Sequence, residues 1–322
     1  MRSFTLLLVV LLCCSLPVNA QTAVIDATLV TNGEINSMNA ASIIELSAWT
    51  VEGISRVDWV GDLLAVAATN AALIYNTGDW TQTPFRIEGA ALDVAFSLDG
   101  ELLAVADGES VRVWALDTNT LVATLDGTSP LTFNSNTLAY SDGAAAIYLW
   151  DRGTRQNRTM ISGHSDRITA ADFSPDGDIL VTTSLDTTLR LWDVNTGEQT
   201  GFSRSRRRPL LCVEFSPSGA LLASGTQRGV VRLNNLAVDT ERVLSRSLRD
   251  DVTNIHFSPS GSIMLFTAGN MIQIWDTGAQ SATVILPDPD GVVIDAIFNP
   301  AGTMIVSTDS ANRIRLWGVP AA

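Results

Sequence analysis

The sequence predicts an all-β fold: a seven-bladed β-propeller of four-stranded antiparallel blades, closed by an N-terminal strand that joins the last blade. Two recurring phrases and one burial pattern lead there. The first phrase is an aromatic residue, a Ser/Pro/Asp/Gly turn and a small apolar run. Clear copies are Phe96-Ser97-Leu98-Asp99-Gly100, Phe173-Ser174-Pro175-Asp176-Gly177, Phe215-Ser216-Pro217-Ser218-Gly219, Phe257-Ser258-Pro259-Ser260-Gly261 and Phe298-Asn299-Pro300-Ala301-Gly302. Trp59 and Phe133 open weaker copies, and the seven aromatics are 37, 37, 40, 42, 42 and 41 residues apart. The second phrase, an alternating run closing at Tyr75, Trp114, Trp150, Trp192, Asn234, Trp275 and Trp317, keeps the same register. A period near forty residues marks a repeat architecture.

The burial pattern is that inner runs such as Leu102-Leu103-Ala104-Val105-Ala106 are apolar on both faces. A small sheet of that kind cannot stand alone in water. Stacking seven around an axis covers both faces and leaves few open edges. With 322 residues, 46% hydrophobic and 17% charged, the chain has material for a large core and too little charge for disorder.

Taken along the chain, residues 1–20 read as a secretory signal peptide. Arg2 precedes an apolar run from Phe4 to Cys14, and Val18-Asn19-Ala20 supplies small residues for cleavage after Ala20. The expected location is therefore extracytoplasmic, with no membrane insertion after cleavage. Residues 21–42 read as a leader, and 43–320 as the propeller. Ile43–Ala48 is an orphan strand, while the seventh unit stops near Trp317 without a fourth strand; the two should pair and clasp the ring. Unit four shows the plan of each blade, with strands a at Arg167–Phe173, b at Ile179–Ser184, c at Thr188–Asp193 and d at Glu198–Ser203. Past residue 20 the one cysteine is Cys212, inside Leu210-Leu211-Cys212-Val213, where a buried inert thiol is expected.

Unit four resembles a WD repeat over its full length, from Gly163-His164 through the Phe173–Gly177 phrase to Leu191-Trp192-Asp193. The resemblance runs from about Ile43 to Val319, with six degenerate copies. It implies a buried structural relay of His164, Ser184 (or Thr182 on the same face), Asp186 and Trp192. Only His164 follows a glycine, and Asn234 and Tyr75 stand where two blades should carry Trp. The six degenerate blades are expected to rest more on apolar packing.

Catalytic signals are missing. His164 belongs to the relay, and His256, the other histidine, reads as a satisfied interior residue. No catalytic residue, cofactor or metal site is expected. Pro287-Asp288-Pro289-Asp290-Gly291, with Asp295, resembles half a calcium loop but reads as an acidic turn. No set of inward-facing carboxylates or histidines is evident for chemistry on the ring axis.

Charge supplies the functional hint. The net charge is −14, every basic residue is Arg, and nucleic acid is an unsuitable partner. Arginines nevertheless gather between Asp151 and Arg249. Arg204, Arg206, Arg207 and Arg208, with Arg228, Arg246 and Arg249, fall on connections that a four-strand meander sends to one face. Their planar forks suit carboxylates or phosphates. Family resemblance and charge together lead to an expected monomeric, exported, non-enzymatic scaffold that binds an acidic protein partner. The alternative is a propeller enzyme or a carbohydrate or ligand binder using the central channel.

Overall fold

The computed structural model describes residues 33–320 except 206, 246–248, 280 and 289, with the side chains of 159 and 201–205 also outside the description. The signal peptide and most of the leader thus lie outside the described residues. Seven four-stranded antiparallel sheets form the ring. Their innermost strands are Arg56–Val60, Asp93–Phe96, Thr128–Phe133, Ile168–Phe173, Leu210–Phe215, Val252–Phe257 and Val293–Phe298. Within blade four the strands are Ile168–Phe173, Ile179–Ser184, Thr188–Asp193 and Gln199–Ser205, within two residues of the sequence-based boundaries.

The recurring phrase is the a–b turn, and its chemistry is local. In blade four the Ser174 hydroxyl accepts the Ile179 N–H at 2.9 Å, and Gly177 N–H reaches the Ser174 carbonyl at 2.8 Å. Gly177 sits at φ +77°, a left-handed conformation where a Cβ would be strained. Ser97, Ser216 and Ser258 repeat the hydroxyl bond, and the Asn299 amide oxygen replaces it in blade seven.

Burial follows the strand order. All five residues of Leu102–Ala106 and all six of Ile263–Ala268 are buried, whereas the outer strand Thr120–Asp126 is mostly exposed. The core divides into seven clusters, one at each blade junction. Each large side chain buried there contributes about 1.5–3 kcal/mol, so no blade is stable without its neighbours.

The ring closes as a clasp. Strand Ile44–Thr50 pairs antiparallel with Arg313–Gly318, the third strand of blade seven, with Ile44 opposite Gly318 and Thr50 opposite Arg313. Trp49, buried in this strand, places its indole N–H 3.3 Å from the Tyr75 hydroxyl of blade one. Upstream, Ile35 is fully buried and its N–H bonds the Gly302 carbonyl at 2.8 Å.

Candidate functional site

The innermost strands place a circuit of polar side chains on the ring axis. Each takes an N–H from the innermost strand of the next blade. Asp58 accepts from Phe96 at 2.6 Å, Asp93 from Leu131 at 3.2 Å and Asp172 from Phe215 at 2.7 Å. Glu214 accepts from Phe257 at 3.3 Å, His256 from Phe298 at 3.2 Å, and Asp295 closes the circuit on Val57 at 3.1 Å. Six of seven junctions are stapled this way among the described residues. Between blades three and four Thr132 stands at the same level, and the side chain of Asn134 bonds the Gly177 carbonyl instead.

This overturns the expectation that no carboxylates or histidines converge on the axis. They line a cavity of about 380 Å³ together with Arg56 and Asn254. Burial raises the Asp58 and Asp93 carboxyls to about 6 and Asp172 to about 7, outweighing the N–H bonds that favour their charged forms. Glu214 rises well above its usual range, through burial and then the neighbouring Asp172 charge. Arg56, 3.8 Å from Asp295, offsets part of this on its side of the channel. His256 is 30% exposed, but toward the channel, and burial lowers it to about 4. Its Nδ1 accepts the Phe298 N–H, so the neutral ring carries its proton on Nε2, 3.9 Å from Glu214. Burial also pushes the Cys212 thiol up to about 12, which leaves it unreactive. Among the described residues, no three His, Cys, Asp or Glu side chains group as metal ligands.

The relay lies in blade four, toward the d–a face. His164 places Nδ1 2.8 Å from Asp186 and Nε2 2.7 Å from the Thr182 hydroxyl, which also accepts the Trp192 indole N–H at 2.7 Å. The bridging hydroxyl is therefore Thr182 and not Ser184. Ser184 faces the same way one step along the strand, where it donates to the Asp166 carbonyl and accepts the Asp186 N–H. The Thr188 hydroxyl, His164 and the N–H groups of Ser165 and Thr188 hold the Asp186 carboxyl at about 2 against its burial. The set is satisfied within the blade, as a structural role requires.

Two adjacent blades match a known repeat. The WD domain, G-beta repeat, matches residues 155–193 and 201–234, which run from the last strand of blade three to the third strand of blade five. The ring is a seven-bladed propeller in which two consecutive repeats are similar to WD repeats. No curated protein matches it.

Elsewhere the propeller replaces the relay in different ways. In blade five, Asn234 takes the Trp position and donates to the Leu222 carbonyl at 3.2 Å. In blade seven, Trp317 donates to Ser307 at 2.9 Å, and beside them Arg315, 1% exposed, forms an ionic cluster. Its guanidinium pairs with Asp288 at 2.7 Å, with Asp309 and Asp290, and with Glu45 of the closing strand at 3.1 Å. The half calcium loop thus wraps an arginine, and Asp295 lies apart from it on the axis. Blade seven shows the expected apolar packing and adds a buried charge network to it.

The arginine face is only partly described. Arg206 and Arg246 and the side chain of Arg204 lie outside the described residues. Arg207, Arg208, Arg228 and Arg249 are exposed on the d–a and b–c connections of blades five and six. Arg208 donates to the Arg228 carbonyl at 2.9 Å, and the Arg228 N–H donates to Asp251 at 2.9 Å. These bonds tie three connections together. Sequence reasoning missed Asp58, Asp93, Asp172, Glu214 and Asp295. The available signal was an acidic residue one or three positions before the recurring aromatic.

Proposed function

We propose that this WD-repeat propeller is an exported, non-enzymatic interaction scaffold that docks an acidic protein partner on the d–a face of blades four to six. WD-repeat propellers serve generally as protein-interaction scaffolds, and that coarser role follows from the family. One observation carries the finer reading. The Arg208–Arg228–Asp251 bonds preorganise three connections, and Arg207 and Arg249 remain exposed on the same face. A preorganised basic patch on a protein of charge −14 steers an acidic partner to one place. The export motif at residues 1–20 supports an extracytoplasmic setting.

The test is capture of partners from the native extracytoplasmic fraction, followed by kinetics with Arg207, Arg208 and Arg249 changed to Ser. Association should slow and lose its salt dependence while the melt is unchanged. An unchanged association rate sinks the reading. Exported material that retains Met1 sinks the export part alone.

The channel favours a second reading, a small ligand held on the axis, because carboxylates, His256 and Arg56 meet there. Thermal shift with amines, divalent cations and oligosaccharides tests it. No stabilisation by any of these would remove it.

A further inference from the structure

The opposite face, formed by the a–b and c–d turns, carries a groove that the arginine reading does not use. It lies between blades four and five, has a volume of about 690 Å³, and is lined chiefly by Ile179, Leu191, Phe215 and Leu236. Alignment on the recurring phrase gives the equivalents between blades six and seven as Ile263, Ile274, Phe298 and Val319. There the groove is full. Ile35, fully buried, belongs to one apolar cluster with all four, and Glu34 lies over Gly302. Ile263 and Ile274 are 0% exposed; at the four–five junction Leu191 and Phe215 are buried, but Ile179 and Leu236 are only partly buried, with Val238 beside them 65% exposed.

The backbone repeats the contrast. Gly219 packs on Pro175 as Gly302 packs on Pro259. In blades four, six and seven the carbonyl of the turn glycine has a donor. Gly177 takes the Asn134 side chain at 3.2 Å, Gly261 the Thr277 hydroxyl at 2.8 Å, and Gly302 the Ile35 N–H at 2.8 Å. Among the described residues nothing donates to the Gly219 carbonyl, and that glycine is partly exposed. The fold therefore shows, at one junction, how an aliphatic side chain and its backbone N–H, leading into a turn and a 3-10 helix at Ala40–Ser42, fill this kind of groove. At another it leaves both the apolar seat and the acceptor open.

We propose that the groove between blades four and five docks a segment of a partner protein, which seats one branched aliphatic side chain among Ile179, Leu191, Phe215 and Leu236 and donates its backbone N–H to Gly219. The residue beside that aliphatic is neutral or basic, because Asp176 stands exposed on the groove's lip. This site is independent of the arginine face and can fail or hold separately from it.

The probe is a synthetic peptide copying residues 33–43 with Glu34→Lys and a photoreactive aliphatic residue at position 35. With the intact protein it should bind saturably and cross-link to Pro175 and to the stretch from Leu236 to Val238. A peptide carrying Ile35→Asp should bind at least ~10-fold more weakly, because a buried carboxylate lacks a partner there. Leu236→Glu in the protein, with folding checked by its melt, should weaken binding similarly. Protein with Arg207 and Arg208 changed to Ser should bind the peptide as before. Absence of saturable binding, or cross-links at Pro259 and Gly302 in place of the blade four–five groove, overturns the proposal.

Discussion

The Asp58 carboxylate of blade one accepts the Phe96 N–H of blade two at 2.6 Å, joining two sheets whose other contacts are largely apolar. Apolar contacts alone allow blades to slide, and a directed bond at the inner rim fixes their register. The same device recurs around the axis, built from Asp, Glu or His according to the blade.

Removing the Asp58 acceptor should be costly. Asp58→Ala leaves the Phe96 N–H without its partner and should lower stability by about 1–3 kcal/mol in urea melts. Asp58→Asn keeps an amide oxygen at the site and removes a charge that burial disfavours, so it should lose clearly less at pH 8. Equal losses would show that the carboxylate does not act as a staple.

Stability should fall as pH rises from 6.5 to 8. An unfolded carboxyl titrates near ~4, but the folded values of Asp58 and Asp93 are about 6 and of Asp172 about 7. The folded chain therefore binds more protons between those limits, and stability declines as pH climbs through them. His256 acts oppositely, since its folded value of about 4 lies below the unfolded ~6.5, so its contribution grows up to that pH and then stops. Above 6.5 the Asp172–Glu214 pair dominates, and Asp172→Asn should flatten the slope. Thermal melts that rise over this window would contradict the assignment. Asp186, held at about 2, supplies stability that is lost only as pH falls from about 4 toward 2.

The relay separates two positions on one face. Asp186→Ala should cost about 1–3 kcal/mol by leaving His164 and Thr188 short of a partner. Thr182→Ala should cost a similar amount, because its hydroxyl accepts the Trp192 indole N–H and donates to His164 Nε2. Arg228→Ala should be nearly neutral, since its bonds to Arg208 and Asp251 come from backbone atoms. Chemical denaturation of the three variants checks the order.

Arg315→Met should be the most damaging single change in blade seven. It leaves Asp288 and Asp309, both 0% exposed, buried as unpaired charges, with a cost of about 3–5 kcal/mol. Adding Asp288→Asn and Asp309→Asn should recover much of that loss. Failure of the triple variant to recover would mean that the arginine acts through packing.

Deletion of Ile44–Thr50 should leave the Arg313–Gly318 strand as an open edge and cause self-association, visible by light scattering. A monomeric variant with a cooperative melt would count against the clasp.

The blade count, strand order and clasp were legible because each depends on local pattern: alternation, turn residues and spacing. The Pro175-Asp176-Gly177 turn, for example, fixes where Ile179 begins the next strand. The channel was not legible in the same way. A single acid such as Asp58 or Asp172 in an alternating strand reads as solvent-facing, and only closure turns those faces toward one axis. Choosing between Thr182 and Ser184 was beyond pattern too, because both point to the same side and the reach of His164 decides. The Arg315 cluster joins residues from the closing strand, a connection and two strands, so spacing could not reveal it.

Because Ile44–Thr50 precedes blade one and its partner Arg313–Gly318 belongs to blade seven, the ring cannot shut until blade seven has been made. The growing arc of blades has one flank uncovered until then, and the strand Ile44–Thr50 has no partner until blade seven emerges. Closing the ring is therefore the meeting of two strands separated by the whole propeller. A protein of this design depends on whatever shields it during that delay.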